Sequence, residues 1–280
     1  MTAAAPGSIV KSGAAAGIGV GAFNVIQLEL AEAIVAGAEQ AGAPVILQIS
    51  ENCVKYHGAL APIALACQAI ARAAAVDVTV HLDHAESVDL IAEALDLGID
   101  SVMIDASKLP DEANRAVTAA VVAMCHRRGV VVEAELGEVG GKDGVHAPGA
   151  RTDPEAAAQF VRDTGVDALA VAVGSSHAMT QRVASLDFDL ISRIHAAVPV
   201  PLVLHGSSGV PDADLARAVA SGMTKINIAT LLNHTFTDAV RETLVGDPGM
   251  VDTRKYFKPG RTAVAQAVAN LLGVLRGGVA

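Results

Sequence analysis

The chain has 280 residues, a net charge of −10 and an aromatic content of 2%, and it contains no tryptophan. A nucleic-acid groove needs a stripe of Lys and Arg, often with aromatic side chains that stack on bases, so this composition argues against a nucleic-acid partner. The sequence has no run of about 18 uncharged apolar residues, so we also expect no membrane-spanning helix and no membrane partner.

The cysteines are Cys53, Cys67 and Cys125, and they form no CxxC motif. An odd number of scattered cysteines is typical of buried thiols in a reducing compartment. We therefore expect a cytoplasmic protein whose thiols are free.

Short β-branched runs alternate with longer Ala-rich segments of helical period along the chain. The predicted strands span residues 19–24, 44–50, 77–83, 101–105, 129–136, 167–173, 200–205 and 224–228. The predicted helices span residues 26–41, 62–75, 87–97, 153–163, 188–197, 212–221, 231–245 and 262–275, with another long helix ending near residue 128. We expect residues 1–17 to be a weakly structured lead-in and residues 246–280 to be a C-terminal tail containing the last helix.

Eight strand–helix units, with strands that are apolar on both faces, favour an α/β fold with a single-domain (β/α)8 TIM barrel over residues 1–280. A doubly wound parallel sheet is the alternative. The barrel is preferred because polar residues end almost every strand, and a barrel gathers strand ends at one mouth, whereas an open sheet spreads them along an edge. These residues are Asn24, Ser50, Asp83, Asp105, Glu135, His177, His205 and Asn227.

Three of the strand-end residues are candidates for metal ligands. His84 follows the third strand, His177 lies beyond the sixth, and His205 ends the seventh. Neutral imidazole suits zinc, and catalytic zinc sites keep three protein ligands and an open position. The alternative for each histidine is a structural hydrogen bond. Asp83, next to His84, would be an acid–base group beside the metal, or else an N-cap for the next helix.

Glu135 is a candidate for an accessory metal ligand or for a residue that orients a ligand histidine, and Asp105 is a second accessory candidate. Glu133 lies on the same strand face as Glu135 and is expected to be structural. The same role is expected for His81, two residues before Asp83. Lys225, inside the eighth strand, is expected to bridge an acid near the mouth.

Two segments are candidates for a phosphate site, HGSSG at 205–209 and NIAT at 227–230. Barrels often bind phosphate with loop amides and a helix N-terminus after strands seven and eight. A turn followed by a helix cap is the alternative. The Gly-rich segment 137–152 suggests a lid whose acids, Glu138 and Asp143, enter the site on closure, or else a plain surface loop.

Seven blocks, in this order, resemble the class II, metal-dependent ketose-bisphosphate aldolases. They are AFNV (22–25), HLDHAES (81–87), SVMIDAS (101–107), VEAELGEVGG (132–141), DALAVAVGSSH (167–177), PLVLHGSSGVP (201–211) and TKINIAT (224–230). The resemblance implies zinc-dependent cleavage of fructose 1,6-bisphosphate, or of tagatose 1,6-bisphosphate or another ketose phosphate, to dihydroxyacetone phosphate and glyceraldehyde 3-phosphate. It also implies a homodimer or homotetramer.

The resemblance implies a role for each matched residue. His84, His177 and His205 match the zinc ligands, Glu135 an accessory ligand, and Asp83 the acid–base group at the C4 hydroxyl. The matches to the site for dihydroxyacetone phosphate and for a monovalent cation, Na⁺ or K⁺, are Gly206, Ser208, Asn227 and Thr230, with Ser207, Ile228, Ala229 and Ala178 beside them. Asn227 is also a candidate catalytic residue.

Three departures from the family pattern stand out. Ala178 replaces a usual Gly, Lys142-Asp143 replaces a usual Glu pair in the lid, and an Ala/Gly-rich stretch replaces the usual N-terminal helix. The lid acid is therefore either Asp143 or Glu138. The second phosphate contact is also open. Its candidates, from this or a neighbouring subunit, are the basic tail residues Arg254, Lys255, Lys258 and Arg261, for which a solvated face is the alternative. A zinc hydrolase and a non-catalytic barrel are the alternatives from other functional classes.

Overall fold

Eight parallel strands close into a barrel in the computed structural model, which describes residues 8–136, 151–177 and 179–277. Each strand pairs with the next one along the chain, and the first pairs with the last. The strands are β1 (Val20–Asn24), β2 (Val45–Ser50), β3 (Val78–Ala85), β4 (Ser101–Ile104), β5 (Val131–Leu136), β6 (Ala168–Val171), β7 (Leu202–Leu204) and β8 (Met223–Ile228). The closed order confirms the TIM barrel and shows that the doubly wound alternative is wrong.

Helices surround this barrel and follow most of the predicted segments. They are α1 (Ser8–Ala16), α2 (Leu28–Ala41), α3 (Glu51–His57), α4 (Ala61–Ala73), α5 (Val88–Asp96), α6 (Asp111–His126), α7 (Pro154–Thr164), α8 (Phe188–Ala197), α9 (Asp212–Ala220), α10 (Thr230–Gly246) and α11 (Thr253–Leu275). Helix α3 was not predicted. It begins because the Ser50 hydroxyl accepts a hydrogen bond from the Cys53 amide and caps the first turn.

The N-terminal segment forms helix α1, so the expectation of a weakly structured lead-in is wrong for residues 8–16. The supposed lack of an N-terminal helix is wrong for the same reason. Ala has the highest helix propensity, and Ile9 gains a buried position against Val20, Ala22 and Ile46 near the amino-terminal ends of β1 and β2. Helix α1 therefore covers this end of the barrel.

The C-terminal helix α11 is longer than predicted, because it begins at Thr253 and continues through Pro259. It packs on α2 and α10 and buries Val264, Val268 and Leu272 in the main core. Among the described residues, none of the helices is both long enough and apolar enough to cross a membrane.

Side chains alternate between two environments along each strand. In β3, Val80 and Leu82 pack into the main hydrophobic core, whereas His81 and Asp83 belong to the opposite strand face. His81 is in register with Gln48 of β2, and both are buried. The barrel interior is therefore partly polar, and its buried hydrogen-bonding groups lie directly below the carboxyl ends of the strands.

The contact between α2 and α11 gives a stability prediction. A Cβ at Gly37 would lie 2.4 Å from the Ala265 carbonyl oxygen and 2.8 Å from Val268 Cβ, whereas a Cβ at Gly273 would meet no atom within 4 Å. We expect Gly37→Ala to lower the free energy of unfolding by about 1–3 kcal/mol through overpacking. The control, Gly273→Ala in α11, should raise it by about 0.5–1 kcal/mol. Chemical denaturation measures both changes, and equal effects would contradict this packing.

Candidate active site

Three histidines from distant parts of the chain meet at the carboxyl ends of the strands. His84 belongs to β3, His177 to the segment after β6, and His205 directly follows β7. The imidazole centroids of these three residues are separated by 5.2, 4.7 and 5.7 Å. One possible ligand atom from each lies within 4.8 Å of the others. The structure therefore brings together the three histidines that the sequence suggested as ligands.

The backbone at His84 is unusual. Its φ is +49°, in the left-handed region that residues other than Gly seldom occupy. The register between β3 and β4 also shifts between Leu82 and Ala85. Such strain is held in place by surrounding contacts and is found at functional sites. At His84, the left-handed backbone conformation accompanies a side chain that is directed toward His177 and His205.

Carboxylates contact two of the three imidazoles. His84 Nδ1 lies 2.7 Å from Asp105 Oδ2, and His205 Nδ1 lies 2.9 Å from Glu135 Oε2. Ligand histidines usually bond such a partner through one nitrogen, which fixes the ring and makes the other nitrogen more basic. His84, Asp105 and Glu135 form a second, overlapping group of possible ligand atoms within 4.8 Å. This donor set fits a divalent metal, with the two acids as accessory groups.

His205 is buried between two acids, because its Nε2 also lies 3.0 Å from Glu133 Oε1. Burial disfavours the charged ring, but the hydrogen bonds to Glu133 and Glu135 outweigh burial and raise the pKa of His205 to about 9. Metal binding to imidazole requires loss of a proton. A metal held by His205 would therefore take the place of the proton on this ring.

Asp83 is held by two amide groups beside the histidines. Asn24 Nδ2 donates to Asp83 Oδ2 at 3.0 Å, and Asn227 Nδ2 lies 3.5 Å from Oδ1. Gln48 in turn donates to Asn24 Oδ1 at 3.2 Å. Burial would raise the pKa of Asp83, but nearby His84 and Lys225 outweigh it and lower that pKa. Asp83 is therefore an oriented carboxylate that can accept a proton.

A buried polar network lies deeper in the barrel. Lys225 Nζ is 2.6 Å from Glu133 Oε2 and 3.3 Å from His81 Nε2. His81 Nδ1 is 2.8 Å from the Ser101 hydroxyl, and burial together with Lys225 lowers the pKa of His81 to about 3. The expected structural roles of His81 and Glu133 and the predicted bridge from Lys225 to an acid agree with these contacts. The direct contact of Glu133 with His205 was missed, although its position two residues before Glu135 was a signal.

The loops after β7 and β8 meet at the same cavity. Gly206 has φ +65°, and a Cβ there would lie 2.5 Å from the Ser176 carbonyl carbon, so only Gly permits this approach. The Ser208 hydroxyl accepts from the amides of Ala229 and Leu231, both at 3.2 Å, at the start of α10. The two predicted phosphate segments therefore form one continuous surface at a helix N-terminus.

The cavity has a volume of about 340 Å³. Of the predicted residues, its lining includes Asp83, His84, Asp105, His177, Gly206, Ser208, Asn227, Ala229 and Thr230. Ser207 is instead buried and donates its hydroxyl to the Leu204 carbonyl at 3.0 Å, and Ile228 is in the hydrophobic core. Ala178 and the candidate lid acids Glu138 and Asp143 lie outside the described residues.

Lys55 and Lys108, which were not predicted as site residues, also line this cavity. Lys55 pairs with Glu51 at 2.9 Å, and Lys108 pairs with Glu86 at 3.1 Å. The i,i+4 spacing of Glu51 and Lys55 directly after a strand was an available signal.

The basic tail residues do not line the catalytic cavity of their own chain. Arg254, Lys258 and Arg261 line a separate groove between α2 and α11, where Arg261 pairs with Glu32 at 2.9 Å. The exposed Lys255 does not line the cavity either.

A closed barrel whose mouth combines three histidines with an oriented carboxylate defines a barrel enzyme suited to a divalent metal. A family model described as fructose-bisphosphate aldolase class-II matches residues 6–277. The fructose-bisphosphate aldolase of Geobacillus stearothermophilus is 41% identical over 261 residues, which cover 92% of this chain and 90% of that protein. The one from Staphylococcus aureus strain Mu50 is 40% identical over 256 residues, 90% of each chain.

Solved structures agree with these sequence matches. The crystal structure of the YdjI aldolase from Escherichia coli K12 has a TM-score of 0.84 and 32% identity, covering 98% of this chain and 97% of that one. The chain belongs to the class-II fructose-bisphosphate aldolase family. The motif resemblance is therefore confirmed, and the enzyme is an aldolase of a metal-dependent family rather than a hydrolase.

Proposed function

We propose that this chain is a zinc-dependent aldolase that reversibly cleaves fructose 1,6-bisphosphate to dihydroxyacetone phosphate and glyceraldehyde 3-phosphate. The observation that carries the proposal is that Asp83, His84 and His177 line one cavity, with the buried His205 next to the two other histidines. Family membership and the names of the relatives support the reaction and the substrate. Zinc is proposed because three imidazoles with an open position are typical of catalytic zinc.

In this proposal, His84, His177 and His205 hold the zinc, Asp105 orients His84, and Glu135, beside His205 Nδ1, is an accessory ligand. When bound, zinc supplies a Lewis acid that polarises the substrate ketone. Asp83 takes the proton of the C4 hydroxyl while the C3–C4 electron pair passes to C3 of the ketose fragment and C4 becomes the aldehyde carbon. In the reverse direction Asp83 returns this proton. Asn24 and Asn227 keep the Asp83 carboxylate in one orientation during both steps.

The second proton transfer, at C3 of the three-carbon fragment, is assigned to a lid acid, either Asp143 or Glu138. The segment that carries both acids follows β5 directly in the sequence, and Glu135 lies near the end of that strand. Closure of a loop over the mouth would exclude water from the reacting carbon.

The ketose phosphate group is proposed to bind at Gly206, Ser208 and Thr230. Backbone amides at the start of α10 and the positive end of its helix dipole favour an anion at this point. Asn227, with its Oδ1 buried and without a hydrogen-bond partner among the described residues, is proposed to bind the substrate or the monovalent cation, Na⁺ or K⁺. Binding a remote phosphate orients the reacting carbons.

The second phosphate of the substrate needs a cationic contact. Lys55 and Lys108 line the cavity of the same chain, whereas Arg254 and Arg261 line a separate groove and would reach a cavity only in a second copy. The homodimer or homotetramer stays a proposal that rests on the family resemblance. Cytoplasmic location also stays a proposal, supported by the buried free cysteines.

The substrate and the metal are tested together. Cleavage of fructose 1,6-bisphosphate and of tagatose 1,6-bisphosphate is measured before chelation, after full chelation and after zinc is added back. We expect turnover of the fructose compound, loss of activity on chelation, and recovery with zinc. Faster turnover of the tagatose compound would move the substrate assignment to that sugar. Activity that survives complete chelation would contradict the metal mechanism.

Asp83 is tested by Asp83→Ala, with Asp89→Ala on the exposed surface of α5 as the matched control. General acid–base groups contribute about 10²–10⁴-fold to rate. We expect Asp83→Ala to lower kcat by that factor while the protein still binds zinc in a metal-content measurement. The control should keep wild-type kcat. Near-normal turnover by Asp83→Ala would refute the role given to Asp83.

A further inference from the structure

A charged pair lies inside the barrel beneath the proposed metal site. Glu133 of β5 and Lys225 of β8 are both buried, and Lys225 Nζ is 2.6 Å from Glu133 Oε2. The other carboxylate oxygen, Oε1, lies 3.0 Å from His205 Nε2. Each oxygen of Glu133 therefore has its own partner, and neither Glu133 nor Lys225 lines the cavity or belongs to a group of possible ligand atoms among the described residues.

The two nitrogens of His205 face different surroundings. Nδ1 faces Glu135. Glu135, His84 and Asp105 each offer one possible ligand atom, and these three atoms lie within 4.8 Å of one another. Nε2 faces Glu133, two residues earlier on β5 and thus deeper in the barrel. A neutral imidazole carries a proton on one nitrogen and a lone pair on the other, and the hydrogen bond that one nitrogen makes decides which.

We propose that Glu133, fixed by Lys225, is a positioning residue that accepts the Nε2–H of His205 and so presents Nδ1 to the metal. The inference rests on the proposed metal site. It differs from a general packing role, because it assigns to Glu133 a specific hydrogen bond that selects one tautomer of one ligand.

Lys225 is needed because an unpaired buried carboxylate carries a large desolvation cost. Its own position is fixed by His81 Nε2 at 3.3 Å, and His81 is fixed by the Ser101 hydroxyl at 2.8 Å. This chain of contacts leaves Glu133 Oε1 directed at His205. Lys225 therefore fixes the Glu133 carboxylate, and Glu133 in turn orients the His205 ring.

Two double variants separate positioning from packing. Glu133→Gln with Lys225→Met removes both charges but keeps an oxygen that can accept from His205 Nε2. Glu133→Leu with Lys225→Met removes the charges and the acceptor. Replacing both members of a buried ion pair by neutral groups often preserves stability, and thermal unfolding of each zinc-free variant checks this.

Zinc affinity is measured by competition with a chromophoric chelator, with zinc as the only added ligand. Loss of a residue that orients a ligand typically costs about 10–100-fold in metal affinity. We expect the Leu–Met variant to bind zinc about 10–100-fold more weakly than the Gln–Met variant. Equal zinc affinities in two folded variants would overturn the inference. A wild-type protein that binds no zinc would instead overturn the proposed function, and this inference with it.

If a variant does not fold, a measurement on the wild-type protein tests the same role of Glu133. Nitrogen-15 NMR of zinc-loaded, histidine-labelled wild-type protein distinguishes a protonated ring nitrogen from a metal-bound one. We expect the proton of His205 on Nε2. A proton on Nδ1 would overturn the inference.

Discussion

Pairing of β1 with β8 is the contact on which the site depends, because it turns a linear series of strands into a closed ring. Closure places the carboxyl ends of β3, β7 and β8 around one mouth, so Asp83, His205 and Asn227 meet although they are far apart in sequence. An open sheet would separate these strand ends. The geometry of the histidine cluster is therefore a consequence of the barrel before it is a consequence of any local motif.

Burial of charge inside this ring imposes a second condition. Glu133, Glu135, His205 and Lys225 are buried, and such groups are stable only when each has a partner. Small side chains supply the space, since Ala168 and Ala170 of β6 face the interior with Val203 of β7. The barrel interior therefore has less apolar packing, but it contains a connected set of hydrogen bonds that ends at His205, a candidate metal ligand.

Periodicity was sufficient to predict the strands and the polar strand ends, because alternation within a strand fixes which side chains share a face. It could not identify α3, a seven-residue helix whose start depends on the Ser50 cap, or the burial of Ile9 in α1. The sequence also could not predict which acid pairs with Lys225. That choice depends on which strands lie opposite each other after closure, and only the structure shows that Glu133 serves both Lys225 and His205.

We propose that His84, His177 and His205 form one metal site. The most direct test of this proposal is anomalous diffraction at the zinc edge from crystals of the wild-type protein grown with zinc. We expect a peak at about 2.0–2.1 Å from one nitrogen each of His84, His177 and His205. A zinc-active enzyme whose anomalous peak lies away from these three residues would contradict it.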